Sequence, residues 1–327
     1  MRSQSARRAV GLAVALLPCA GLLAQVANGF DLAESLVPRH EIRGGGPPRD
    51  GIPALTDPMH ESVEMADGWL DPDDRIVGLT IDGESAAYPI RILNWHEVVN
   101  DVVGGKPVVI TFCPLCGTGV VFDASLGGQR AIFGVSGLLY NSDVLLYDRR
   151  TQSLFSQLMF QAITGPLRGT KLETIPVRIT TWNVWKTSHP RTTVLTRSLP
   201  YLRDYGTDPY ARYKRGGGTM FPVRGADRSR TSKEWAYLVL SGKTGLVIAE
   251  ELLRDASSDD AHRFMVGGRT LVDYHASTRE LLASEDRAAI TVIPGYWFAL
   301  TAFHPEAHVV RHEELHPAGA LNQASPS

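Results

Sequence analysis

The chain has 327 residues, 43% hydrophobic and 21% charged, with 31 glycines and 20 prolines. That length and balance exclude a disordered polypeptide and suit one large or two ordinary domains held by their own core. A net charge of −2 with both signs interspersed excludes a nucleic-acid binder built on a basic face, and the many turn formers predict numerous short strands.

Residues 1–29 read as a signal peptide. Arg2, Arg7 and Arg8 precede an apolar run over residues 9–24, which is short for a bilayer span and flanked as a secretory signal is. Small residues at Ala27 and Gly29 place cleavage before Phe30. The Arg7-Arg8 pair is a weak sign of twin-arginine export. Leu16-Leu17-Pro18-Cys19 has the outline of a lipoprotein box, but Pro18 just before the cysteine argues against lipid anchoring at Cys19. The expected product is exported, periplasmic or extracellular, with no transmembrane span. Cleavage takes three arginines from the 33 basic residues and leaves 30 against 35 acidic ones. It also leaves only Cys113 and Cys116, three positions apart, in a compartment that tends to oxidise free thiols.

Residues 30–56 are expected to form an extended arm over the surface, because Arg43-Gly44-Gly45-Gly46-Pro47-Pro48-Arg49-Asp50-Gly51 suits neither helix nor central strand. Residues 57–225 are expected to make a first lobe and residues 226–327 a second lobe with a C-terminal tail. A hairpin is predicted over residues 76–88, turning at Asp82-Gly83, whose residue types tolerate the positive φ angles of a type I′ turn. Pro89 then opens a helix that places Ile92, His96 and Val99 on one face. After Gly104-Gly105, alternation at Val108, Ile110 and Phe112 predicts a strand, followed by Cys113-Pro114-Leu115-Cys116-Gly117 and a second strand over residues 118–122. Further strands are predicted over residues 130–135, 144–147 and 154–157. The fold class is α+β, predominantly antiparallel β with a few packed helices, in two related lobes.

A weak internal repeat supports that pairing: residues 77–93 match residues 235–252, and Gly104-Gly105 matches Gly267-Gly268. Extended, the register sets Ala276 opposite Cys113 and Arg279 opposite Cys116.

The cysteine turn has the form of a metal-binding knuckle. Pro114 fixes φ, Gly117 accepts a positive φ, both sulfurs face one side, and turn N–H groups are placed to donate to thiolates. With no second knuckle in the chain, other ligands must be His, Asp, Glu or Met. His96, one element upstream, is the nearest candidate. Thiolate and imidazole donors favour copper or zinc, and an open coordination position would permit catalysis on a small molecule. Two alternatives stand beside this reading: a dithiol–disulfide couple in a redox protein or enzyme, and a local disulfide that stiffens a hairpin. Other motifs fail. His96-Glu97-Val98-Val99-Asn100 has Asn100 where a zinc peptidase needs a second His, Gly134-Val135-Ser136-Gly137-Leu138 lacks the last glycine of a nucleophile elbow, and no nucleotide-cofactor fingerprint appears.

The chain resembles the domain of unknown function 3179 family of exported bacterial and archaeal proteins. The resemblance rests on Asn94-Trp95-His96-Glu97-Val98-Val99-Asn100-Asp101, Thr111-Phe112-Cys113-Pro114-Leu115-Cys116-Gly117 and Tyr140-Asn141-Ser142-Asp143-Val144-Leu145-Leu146-Tyr147-Asp148-Arg149. Ser153-Leu154-Phe155-Ser156-Gln157 and Ala302-Phe303-His304-Pro305 extend it. It implies no settled activity. It marks His96, Glu97, Asn141, Asp143, Arg149, Gln157 and His304 as residues lining a site or hydrogen-bonded within a large β core.

Overall fold

The computed structural model describes residues 26–242, 244–256, 261–266, 270–283 and 290–317. Most of the expected signal peptide, with Cys19, lies outside the described residues. Strands dominate, and most pairs are antiparallel. Five sheets of four or five strands form a propeller-like ring, with a few short helices against them. Among the described residues no helix is long and apolar enough to cross a membrane.

Turn chemistry sets much of this pattern. Asp82 and Gly83 (φ 48° and 83°) close the hairpin of Arg75–Ile81 with Glu84–Pro89 as expected, and Gly104 and Gly105 (φ 56° and 72°) close that of Val98–Val103 with Lys106–Cys113. Asn141 and Ser142 (φ 47° and 64°) make the same kind of turn between Phe133–Tyr140 and Asp143–Asp148.

The helix after Pro89 is shorter than its periodicity suggested. It spans Ile90–His96, and Glu97 leaves it at φ 57°. Val98–Val103 is a strand, so Val99 does not share a helical face with His96. Four valines in six positions explain this, since their branched side chains favour a pleated surface.

The arm is stitched into the body rather than laid over it. Ile42–Gly44 adds an edge strand to Phe133–Tyr140, and Leu55–Thr56 pairs in parallel with Val98–Val103. Phe30, Leu32, Val37 and Ile42 are buried in a small core that they share with Leu138, Leu145, Tyr147, Leu154 and Ile163 of the body.

The order hairpin, helix, hairpin occurs twice. Arg75–Ile81, Glu84–Pro89, Ile90–His96, Val98–Val103 and Lys106–Cys113 are echoed by Trp235–Ser241, Thr244–Ala249, Glu250–Ala256, Ala261–Val266 and Thr270–His275. The register differs slightly from the sequence match. Cys113 pairs with Thr118 across one four-residue turn, and His275 pairs with Glu280 across the other. Hence His275 stands at the place of Cys113. Arg279 stands at the place of Gly117, and both take positive φ (53° and 68°). The largest core runs from the cysteine hairpin into the C-terminal strands and contains Cys113, Leu115, Cys116, Tyr237 and Trp297 together.

Candidate metal centre

The cysteine turn is held from all sides. The N–H groups of Cys116 and Gly117 donate to the Cys113 carbonyl (3.1 and 2.8 Å), closing the loop. Tyr213 Oη donates to the Leu115 carbonyl at 2.8 Å, and the Tyr296 N–H donates to the Cys116 carbonyl at 2.8 Å. Gly117 is needed twice over: its φ is 68°, and a Cβ there would meet the Trp235 ring at 2.8 Å.

Beneath the turn, Gln157 fastens the two strands. Its Nε2 donates to Thr111 Oγ1 (2.8 Å), and its Oε1 accepts from Thr118 Oγ1 (2.7 Å). Gln157 is thus a fully satisfied core amide.

Both cysteines are free thiols and buried. Their sulfurs face acceptors, not donors. Cys113 Sγ and Cys116 Sγ lie 3.7 and 3.4 Å from the Ser142 carbonyl, and Cys116 Sγ lies 3.9 Å from Asp143 Oδ1. The expectation that turn N–H groups would donate to the sulfurs is therefore corrected, because those groups are spent on the Cys113 carbonyl. Burial pushes the Cys116 thiol well above its ordinary value, and Cys113 and Asp143 push it further.

Asp143 comes from the strand just after the Asn141-Ser142 turn and is completely buried. Its Oδ2 accepts from Ser156 Oγ (3.3 Å) and from the Leu158 N–H (3.1 Å), which leaves Oδ1 toward the sulfurs. Burial raises its carboxyl to about 7, against those hydrogen bonds. Among the described residues, Cys113, Cys116 and Asp143 are the group that could hold a metal ion, with one ligand atom each, all within 4.8 Å of one another. A tetrahedral zinc needs sulfur and oxygen ligands roughly 3.5–4 Å apart. The 3.9 Å between Cys116 and Asp143 falls in that range.

The turn that aims Asp143 is itself anchored. The Asn141 side chain brackets the Arg224 backbone, donating to its carbonyl (3.2 Å) and accepting from its N–H (3.0 Å). Ser142 Oγ donates to the Phe221 carbonyl at 3.0 Å. A strap from Tyr205 to Phe221 thereby lies over the site. Neither Tyr210 nor Tyr213 was singled out from sequence, where this irregular stretch offers no periodicity.

His96, the ligand expected from proximity in sequence, stands outside the three-residue group. Its Nδ1 meets the Pro53 carbonyl at 2.7 Å and its Nε2 meets Tyr205 Oη at 2.8 Å. Both ring nitrogens are thus occupied, as in a core histidine that ties arm to strap, and burial lowers its pKa. Asp143, marked by the resemblance as lining a site or hydrogen-bonded in the core, is instead the third member of the group. Glu97 is near the group: it is buried, accepts from Tyr210 Oη (3.1 Å), and feels the charge of Asp143.

Arg149 lies elsewhere, its side chain 44% exposed and paired with Asp50 at 3.1 Å. His304 is buried against the Phe160 ring, with Nδ1 3.6 Å from Glu306, and burial pushes its pKa down.

A β-ring protein with a buried dithiol–carboxylate cluster is the class these features define. The chain belongs to the family described as Protein of unknown function (DUF3179), whose model matches residues 49–291. That span contains every residue of the cluster and its clamps except Tyr296, and it excludes His304. No curated protein and no solved structure matches the chain.

Proposed function

We propose that this is an exported protein that binds one copper or zinc ion through Cys113, Cys116 and Asp143. The observation that carries the reading is the convergence of three buried ligand atoms within 4.8 Å, on elements whose backbone and side chains are otherwise tied down. Two thiolates and a carboxylate oxygen suit zinc and copper better than magnesium or calcium. Burial raises both the Cys116 thiol and the Asp143 carboxyl, so a cation bound by them reverses that balance and releases protons. Three protein ligands leave a fourth position free for water or a small molecule.

The redox reading has less support. A reactive cysteine needs a lowered pKa and donors at its sulfur, whereas Cys116 is raised and faces acceptors. The recurrence of hairpin, helix and hairpin supports two related halves, with ligands retained only in the first.

The test is elemental analysis and a thiol count on the mature protein, purified without chelator. One ion per chain with no disulfide is expected, and loss of that ion in C113S, C116S and D143N. A metal-free chain that takes up neither zinc nor copper(I) would refute the reading.

A further inference from the structure

Cys113, Cys116 and Asp143 are 1%, 0% and 0% exposed, so nothing reaches them unless part of the structure moves. Their own strands are poor candidates for that movement. Lys106–Cys113 is hydrogen-bonded to a neighbouring strand along each edge, and so is Asp143–Asp148. Baring the ligands from that side would break many backbone bonds at once.

The strap is built differently. Residues 196–234 run from Thr193–Leu195 to Trp235–Ser241 with one five-residue helix, Ala211–Arg215. A connection so long and irregular is uncommon in a compact fold, and active-site lids are one of its usual forms. Among the described residues, no backbone-to-backbone hydrogen bond ties residues 205–221 to a strand or to another helix. Side chains hold it instead. Tyr205 Oη meets His96 Nε2, Tyr210 Oη donates to Glu97, and Tyr213 Oη donates to the Leu115 carbonyl between the two cysteines. Ser142, whose carbonyl faces both sulfurs, donates its hydroxyl to the Phe221 carbonyl. The strap is therefore bonded directly to both turns that carry the ligands. Tyr210, Tyr213 and Phe221 pack on the main core, whereas Gly216, Gly217 and Gly218 between them are exposed. A Cβ added at Gly217 or Gly218 would meet no atom within 4 Å, so packing does not restrain the chain there.

A segment without a backbone ladder opens at lower cost than the sheets it covers. We propose that residues 205–221 are a lid that lifts from the cysteine turn to admit the ion and closes over it, latched by the hydroxyls of Tyr210 and Tyr213; that an ion is what enters rests on the metal reading above. Only hydrogen bonds and packing change as the lid moves.

Alkylation of Cys113 and Cys116 by iodoacetamide, followed by peptide mass in the native, metal-free full chain, reports opening without requiring a metal. Y210F and Y213F each remove one hydroxyl and keep the ring, so each should speed labelling about fivefold, the weight of one hydrogen bond. V194A weakens a separate core cluster that contains no strap residue. It should lower the urea midpoint yet leave the labelling rate unchanged, because local opening does not pass through global unfolding. If neither tyrosine variant outpaces the parent chain, or if V194A speeds labelling as much as they do, the lid is refuted. Prior loading with zinc should protect both thiols. If zinc gives no protection while the tyrosine variants still label faster, the lid stands and the metal reading fails.

Discussion

Replacing Glu97 by glutamine changes one buried oxygen to an amide nitrogen and keeps the shape of the side chain. Burial raises the Glu97 carboxyl from 4.5 to about 7; the Tyr210 hydroxyl opposes the rise and the charge of Asp143 adds to it. In the unfolded chain the same group titrates near its ordinary value. Between those two values the native chain holds a proton that the unfolded chain has lost. Stability is therefore fully present below about pH 4.5, falls as pH rises, and levels off above about pH 7. At about 1.4 kcal/mol per unit, that fall is about 3 kcal/mol. E97Q has no such group. Urea unfolding of the metal-free protein at pH 4.5 and pH 8 should show the parent chain losing about 3 kcal/mol more than E97Q across that interval. Because Asp143 titrates in both chains, its contribution largely cancels in the comparison. Parallel losses in the two chains would show that Glu97 is not a buried carboxyl, and would refute the packing assigned to it.

G117A should destabilise by about 2–3 kcal/mol in urea unfolding, since it joins a positive φ to a clash with Trp235; a neutral result would mean the turn is not held as described. H96A should cost roughly 2–4 kcal/mol by leaving a cavity and orphaning the Pro53 carbonyl and Tyr205 hydroxyl, yet retain one metal ion per chain. Loss of the ion there, with the fold intact by circular dichroism, would restore His96 as a ligand. Q157L should cost about 2 kcal/mol, because Thr111 and Thr118 lose a buried partner, whereas R149A should change stability little and leave metal content unchanged, its side chain being partly exposed and its ion pair with Asp50 lying at the surface.

The cysteine hairpin was legible from the sequence because its information is local. Alternating apolar residues mark Lys106–Cys113, and a proline and a glycine bracket the turn. The Asp82-Gly83 hairpin was legible for the same reason. What failed was reach. His96 was chosen for nearness along the chain, but Glu97 turns the backbone out of the helix at φ 57° and His96 is drawn to Pro53 and Tyr205. No propensity scale foresees a glutamate at positive φ.

Asp143 was named only through the family resemblance. Its role depends on the direction of one carboxylate oxygen after a type I′ turn, and that direction is set by Ser156 and the Leu158 N–H. The Ser142 carbonyl that faces both sulfurs is backbone, so no side-chain motif could announce it. The strap residues Tyr210 and Tyr213 sit in an irregular stretch and are placed by contacts with distant strands. The ring of sheets was likewise beyond a reading that recognised hairpins one at a time.

The most direct test of the central claim is the X-ray absorption spectrum of the zinc-loaded protein at the metal edge. Ligation by Cys113, Cys116 and Asp143 predicts two sulfur neighbours at about 2.3 Å and one or two oxygens at about 2.0 Å, without the outer-shell scattering of an imidazole ring. A first shell without sulfur, or one sulfur pair accompanied by clear imidazole scattering, would contradict it.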